Sequence, residues 1–183
     1  LVHPRNGLFQ VGWPKADLIF NPEYHFLERV GQLKTKLNLP YEKTILYAPS
    51  FETDGKQEDI VNAFRNEKVN ILIKQWVTED YDEYPDIFNN VNIANKKHFK
   101  YANVRILDPE ISIMYCLGLT DILITDESSV AYEALLMNIP TLSLSDWVMR
   151  TDNTSRPRQA QPPQDVVFIT NKRSLVVDLF DLM

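Results

Sequence analysis

The stretch Asp121-Ile122-Leu123-Ile124-Thr125-Asp126-Glu127-Ser128-Ser129-Val130 decides the fold. An uninterrupted apolar run enters a short polar turn, and the turn passes directly into a helical pattern over residues 129–137, with Pro140 just beyond. A strand with no polar alternation is buried on both faces, which is the mark of a parallel sheet covered by helices. Working outward, the same pattern recurs. Thr44-Ile45-Leu46-Tyr47-Ala48, Val69-Asn70-Ile71-Leu72-Ile73-Lys74, Val104-Arg105-Ile106-Leu107, Thr141-Leu142-Ser143-Leu144 and Val166-Val167-Phe168-Ile169 read as further strands. Helical patterns lie between them at 57–66, 79–88 and 110–117, and a last one at 171–183 puts Leu175, Leu179 and Leu182 on one face. Gly118 is expected to end its helix in the left-handed conformation. Strands alternating with helices imply βαβ units. The expected fold is therefore α/β, an open doubly wound and mostly parallel sheet with helices on both faces. Residues 1–40 read as a junction segment carrying one helix (23–37), and residues 41–183 as the α/β domain. The Arg-, Gln- and Pro-rich stretch 147–165 is too long for an ordinary connection and is expected to be a functional loop or disordered.

Composition narrows the function. The chain has 183 residues, and 19 basic against 25 acidic side chains give a formal net charge of −6. No dense Lys/Arg run occurs, so a nucleic-acid partner is not expected. One cysteine, Cys116, excludes an internal disulfide framework, and three scattered histidines offer no metal-ligand spacing, so no metal site is expected. Apolar runs are too short to span a bilayer. The five glycines never fall close enough together to write a G-x-G-x-x-G fingerprint or a Walker loop. The chain opens on Leu1-Val2-His3 with no signal-peptide pattern, and it is read as a piece of a longer protein.

In an open α/β sheet, ligands bind beyond the carboxyl ends of the strands. After the strand at 121–125 come Ser128 and Ser129 at a helix start, where unsatisfied backbone N–H groups and the helix dipole suit a phosphate. Glu133, one turn on, shares a helical face with Ser129 and can accept from the hydroxyls of a ribose. The same residues also fit a plain helix cap with a dipole-complementing glutamate. Asp126 and Glu127 must point away for an anion to sit there. Elsewhere, His98 in Asn95-Lys96-Lys97-His98-Phe99-Lys100 reads as a solvated histidine in a basic loop. Cys116 reads as a small core residue, and His3 and His25 as surface or junction residues. Trp13 and Trp147 are either packed or lining a cleft, and Arg150, Arg156 and Arg158 belong to the long loop.

As a set, several motifs resemble the CDP-glycerol glycerophosphotransferases of teichoic-acid and capsule synthesis. The stretch 121–130 followed by Asn138-Ile139-Pro140 is similar to that family's D-(V/I)-L-I-T-D-x-S-S-V … N-x-P. Val11-Gly12-Trp13-Pro14-Lys15-Ala16-Asp17 is similar to its G-x-P-R-x-D, and Ile45-Leu46-Tyr47-Ala48-Pro49-Ser50-Phe51 to its L-Y-A-P-T-F. Asp108-Pro109 before residues 111–117 fits its strand-to-helix passage. The resemblance covers residues 11–146. It implies the Rossmann-like, donor-binding half of a GT-B glycosyltransferase fold. It further implies a donor pyrophosphate held at Thr125, Asp126, Ser128 and Ser129, with Thr125 and Asp126 shaping the turn. Glu133 is similar to the ribose-binding glutamate of other GT-B enzymes. Lys74, Trp76 and Asp108 are candidates for contact with the base or sugar.

The implied activity is transfer of glycerophosphate or a sugar from CDP-glycerol or a UDP-sugar to a glycan or polyol-phosphate acceptor of the cell surface. The implied place is the cytoplasm, at or near the inner face of the membrane. No cofactor or metal is required, because the helix N-terminus supplies the positive end for the leaving group. The sequence departs from the family at one position that matters. Where the family places Lys-x-His-Pro, with a histidine serving catalysis, this chain reads Lys74-Gln75-Trp76-Val77, and an indole can only donate. No catalytic residue is assigned. The general base is expected from a missing N-terminal domain, so the chain alone is expected to bind donor weakly and turn over nothing. Two alternatives stand beside this reading. One is a UDP-N-acetylglucosamine 2-epimerase-like enzyme, which Ser145-Asp146 and Thr154-Ser155-Arg156-Pro157 resemble faintly. The other is a GT-B-like domain without activity.

Overall fold

The computed structural model describes residues 12–50, 55–75, 85–147 and 166–183, with residues 85–87 as backbone only. Six strands form one parallel sheet: β1 (Lys43–Tyr47), β2 (Val69–Ile73), β3 (Val104–Ile106), β4 (Ile122–Ile124), β5 (Thr141–Leu144) and β6 (Phe168–Thr170). Their order is β3-β2-β1-β4-β5-β6, and every pairing is parallel. The expected doubly wound α/β architecture is the one found.

Seven α-helices accompany the sheet among the described residues: α1 (Asp17–Phe20), α2 (Phe26–Leu37), α3 (Lys56–Phe64), α4 (Pro85–His98), α5 (Ile113–Leu117), α6 (Val130–Leu136) and α7 (Leu175–Leu182). Alternate strand residues serve opposite faces. Ile45, Tyr47, Ile71, Ile73, Ile122 and Ile124 pack with Ile60, Val61 and Phe64 of α3 and with Leu175 and Leu179 of α7. Leu46, Ala48, Leu72 and Leu123 pack with Phe26 and Val30 of α2, Met114 and Leu117 of α5, and Val130 and Ala134 of α6. Both faces being covered, no position along these strands tolerates water, which is why the sequence shows no polar alternation.

Three expectations are corrected. Of the helix placed at 79–88, residues 79–84 lie outside the described residues, and the described helix, α4, continues from Pro85 to His98, ten residues past the expected end. Residues 95–98 are therefore the end of a helix, not a loop. His98 is buried, with 2% of its surface exposed, and is not solvated. Gly118 has an ordinary helical φ of −59°, and the left-handed positions after α2 and α6 are taken by Asn38 and Asn138. Glycine stands at 118 for room, because a Cβ there would lie 2.5 Å from Val30 Cγ2 and 3.1 Å from Phe26 Cζ of α2. Cys116 is a buried core residue and His25 is exposed, as read from the sequence. Residues 148–165, with Arg150, Arg156 and Arg158, lie outside the described residues, as does His3.

Gly118→Ala is expected to push α2 off the sheet face and to destabilise the fold by about 1–3 kcal/mol, the usual cost of overpacking. Urea denaturation of the two proteins measures the difference.

Candidate functional site

The strand order reverses between β1 and β4, and the crevice beyond the carboxyl ends of such a pair is where open α/β sheets take ligands. A cavity of about 230 Å³ lies there. Ala48, Pro49 and Ser50 after β1, Lys74 and Gln75 after β2, and Ser128, Ser129 and Glu133 from the turn and helix after β4 line it, together with Lys15.

The β4 turn is built from inside. Thr125 is fully buried, and its hydroxyl donates to the Ala48 carbonyl at 2.6 Å. Asp126 is buried too. Its Oδ1 accepts from the backbone N–H groups of Ser50 (2.7 Å) and Ser128 (3.2 Å), and its Oδ2 accepts from Lys56 Nζ at 2.8 Å. The Lys56 side chain is only 6% exposed, so this is a buried ion pair. It turns the Asp126 charge away from the cavity, as anion binding requires. Thr125 and Asp126 thus shape the turn and do not line the cavity. Ser128 and Ser129 do line it. Ser129 is the N-cap of α6, yet its side chain makes no capping bond. Ser128 Oγ receives Val130 N–H only at 3.4 Å. The Ser129 hydroxyl is therefore not used as a cap.

Two lysines set the charge of the cavity. Lys15, from the 3₁₀ turn Pro14–Ala16, bonds Glu133 Oε1 at 2.6 Å; the Glu133 side chain is 2% exposed. Lys74, at the end of β2, is buried and donates to the carbonyls of Pro109 (2.6 Å) and Gln75 (3.3 Å). Among the described residues no carboxylate lies within ion-pair distance of it. Burial accordingly pushes its pKa below the ordinary lysine value, against weaker upward pulls from Cys116, Asp108 and Glu110. Cys116 cannot act as the missing anion near neutral pH, since burial raises its thiol to about 11. Lys74 is thus a buried cation held by neutral carbonyls at the wall of a cavity.

Asp108 follows β3 and is exposed. It accepts from Glu110 N–H at 2.9 Å and lines a second cavity of about 310 Å³ with Glu110, Phe88 and Asn95. Gln75 lines both cavities. Its Nε2 donates to Gln57 Oε1 at 3.1 Å, while Gln57 Nε2 donates to His98 Nδ1 (3.1 Å) and Asn95 Oδ1 (3.3 Å). Burial lowers the His98 pKa and so favours the neutral ring, which suits Nδ1 as the acceptor. Trp76 lies outside the described residues. Trp147 packs on the core, edge-on to Tyr47, with its Nε1 on Asp59, so it is not a cleft residue. Lys97 is engaged by Glu58.

The sequence reading missed Lys15, Lys56, Gln57 and His98 as site or supporting residues. Lys15 alone carried a signal, since it holds the Arg position of the G-x-P-R-x-D likeness. The others act through partners far away in sequence.

The family described as "CDP-Glycerol:Poly(glycerophosphate) glycerophosphotransferase" matches residues 3–150. The chain belongs to this family. A relative, the teichoic acid glycerol-phosphate primase of Bacillus subtilis (strain 168), is 33% identical over 138 residues, which is 75% of this chain and 33% of the primase. Among solved structures, the wall teichoic acid polymerase TagF (H444N variant) superposes with a TM-score of 0.66 at 19% identity, over 95% of this chain and 43% of the polymerase. Anabaena Alr3699/HepE in complex with UDP-glucose gives 0.55 at 12% identity, over 84% of this chain and 42% of that protein. At these identities the two structures show a shared fold, the Rossmann-like half of a GT-B architecture. The chain spans about a third of the primase and about two-fifths of the polymerase. No helix among the described residues is long and apolar enough to cross a membrane.

Asp126→Asn strands the Lys56 ammonium in the interior and is expected to cost about 3–5 kcal/mol, most of it regained in Lys56→Met/Asp126→Asn. Chemical denaturation of the three proteins checks this; a loss under 1 kcal/mol in the single variant would contradict it.

Proposed function

We propose that this chain is the donor-binding half of a transferase that moves glycerophosphate from CDP-glycerol to a polyol-phosphate or glycan acceptor of the cell surface. The observation that carries the reading is the buried Lys74 ammonium, without a carboxylate partner among the described residues, facing the same cavity as the uncommitted Ser129 hydroxyl. A buried cation held only by neutral groups is costly unless an anion completes it. A diphosphate in this cavity supplies that anion. Ser128 and Ser129 bind its oxygens, while Thr125 and Asp126 hold the turn in shape. Glu133 keeps Lys15 on Oε1 and accepts a ribose hydroxyl at Oε2. The nucleoside extends past Gln75 toward the second cavity, where Asp108 contacts base or sugar, with Trp76 a further candidate. Family membership favours a CDP donor.

In the transfer, an acceptor hydroxyl oxygen bonds to the phosphorus that carries the glycerol. The bond from that phosphorus to the bridging oxygen breaks, and CMP leaves with the electron pair. Charge grows on the leaving phosphate, and Lys74 compensates it more strongly there than it would in water. The acceptor proton goes to a base supplied by a further domain of the longer protein. The site of action is cytoplasmic, at or near the inner face of the membrane where the acceptor is met. A UDP-sugar donor and a domain without activity are the competing readings.

A thermal-shift panel with CDP, UDP, GDP, CDP-glycerol and UDP-N-acetylglucosamine tests this on wild type, Ser129→Ala and Glu133→Ala. A ligand at a hundredfold excess over its Kd adds about 2.7 kcal/mol. Stabilisation by CDP and CDP-glycerol that both substitutions abolish is the expected result. A response confined to UDP compounds would move the assignment to UDP-sugar chemistry, and silence with every nucleotide would favour the inactive domain.

The pH dependence has a definite sign. Phosphate binding favours the ammonium, so Lys74 has a higher pKa in the complex than in the free protein. Affinity for CDP is then full below the lowered free-protein pKa of Lys74 and is lost as pH rises through it, at a lower pH than an ordinary lysine would give. Titration calorimetry across the alkaline range reads this, and Lys74→Met should flatten the profile.

A further inference from the structure

Glu133 poses a problem for any anion in this cavity. Its carboxylate is buried, it lines the same wall as Ser128, Ser129 and Lys74, and a diphosphate beside it would meet a like charge in a medium that screens poorly. Among the described residues one cation reaches it, Lys15 at 2.6 Å, and that cation comes from a segment 118 residues earlier in the chain. The segment is seated independently by Leu18 and Ile19, which pack on the face formed by α2, α5 and α6. Lys15 is itself half-exposed, with 55% of its side chain accessible, so it sits at the mouth of the cavity while its partner sits in the wall.

We infer that Lys15 is the charge-compensating residue of the donor site, neutralising Glu133 so that a diphosphate can bind beside it, and that docking of the 12–20 segment and donor binding are therefore coupled. The inference rests on the donor-site reading above and adds to it a component from outside the α/β domain. With Lys15 in place, the cavity presents Lys74 as its net charge, and an anion is attracted. Without it, Glu133 and Lys74 cancel, and the attraction disappears. The coupling is reciprocal, as any linkage between two equilibria must be. A bound diphosphate strengthens the seat of the segment by as much as the seated segment strengthens the diphosphate.

The test separates compensation from direct ligation by asking whether removing both charges restores binding. Kd values for inorganic pyrophosphate and for CDP are measured by titration calorimetry on wild type, Lys15→Ala, Glu133→Gln and Lys15→Ala/Glu133→Gln, with circular dichroism confirming that each is folded. Pyrophosphate has no ribose, so it reports the charge alone. The expected result is pyrophosphate binding weakened about tenfold in Lys15→Ala, equivalent to about 1.4 kcal/mol. Binding should return to within threefold of wild type in the double variant and be undiminished in Glu133→Gln. CDP should remain weakened in both variants that carry Glu133→Gln, because the ribose contact is lost.

A double variant as weak on pyrophosphate as Lys15→Ala would overturn the inference and make Lys15 a direct phosphate ligand. Unchanged binding in Lys15→Ala would also overturn it. Should Lys15→Ala fail to fold, the double variant against wild type still decides, since compensation predicts near-equal pyrophosphate affinity. Wild type that binds neither probe would remove the donor-site reading itself, and the inference with it.

Discussion

A single buried carboxylate organises the crevice end of this molecule. Asp126 takes the Ser50 N–H from the segment after β1, the Ser128 N–H from its own turn and the Lys56 ammonium from the start of α3. Three stretches of chain are thereby tied at one point, and every residue that lines the wall of the first cavity on the β1 and β4 side follows one of them. The neighbouring residue of α3, Gln57, reaches the other way, to Gln75 at the end of β2. The first turn of α3 is in this sense a clasp, with one side chain fixing the serine turn and the next fixing the strand end beside Lys74. Both α3 residues are almost wholly buried although one is charged and the other polar, which is affordable only because their partners are complete.

The crevice itself is electrostatically spare. Within a net acidic chain it gathers two lysines and one buried glutamate, and the glutamate is spoken for by one of the lysines. Among the described residues the remaining cation has only carbonyl oxygens for company. The serine turn of the sequence pattern would not by itself distinguish a helix cap from a ligand site, because both use the same residues. A cap needs no buried ammonium facing it, so Lys74 is what supports the proposed ligand site over a plain cap.

How much of this was legible in the sequence follows from the range of the forces involved. The four inner strands β1, β2, β4 and β5 stood out because burial on both faces favours short runs of apolar residues, whereas β3 and β6, at the sheet edges, are partly exposed. The serine turn and Glu133 stood out because they are local, within one turn of helix. Lys74 was picked out by a family likeness, and its unusual state only by the coordinates. The helix expected to stop at residue 88 continues to His98, and ending it early left His98 in an imagined loop. Lys15 with Glu133, Lys56 with Asp126, and Gln57 with His98 are pairs separated by 118, 70 and 41 residues. Pairing over such distances leaves no periodicity and no motif in one sequence. Gly118 was explained by the wrong property: backbone freedom was read where the α2 side chains simply need the space.

The pairing of the two central strands bears on how the protein comes to exist at all. β1 lies directly beside β4, with Ile45 opposite Ile122, and Thr125 then reaches Ala48 across a sequence separation of 77. Closing so long a loop precedes any reward from the contact, so this seam belongs to the slow part of folding, after β1 and β2 have met through α3. The crevice is that same seam. A ribosome must therefore have released the chain well past β4 before the walls of the crevice can come together.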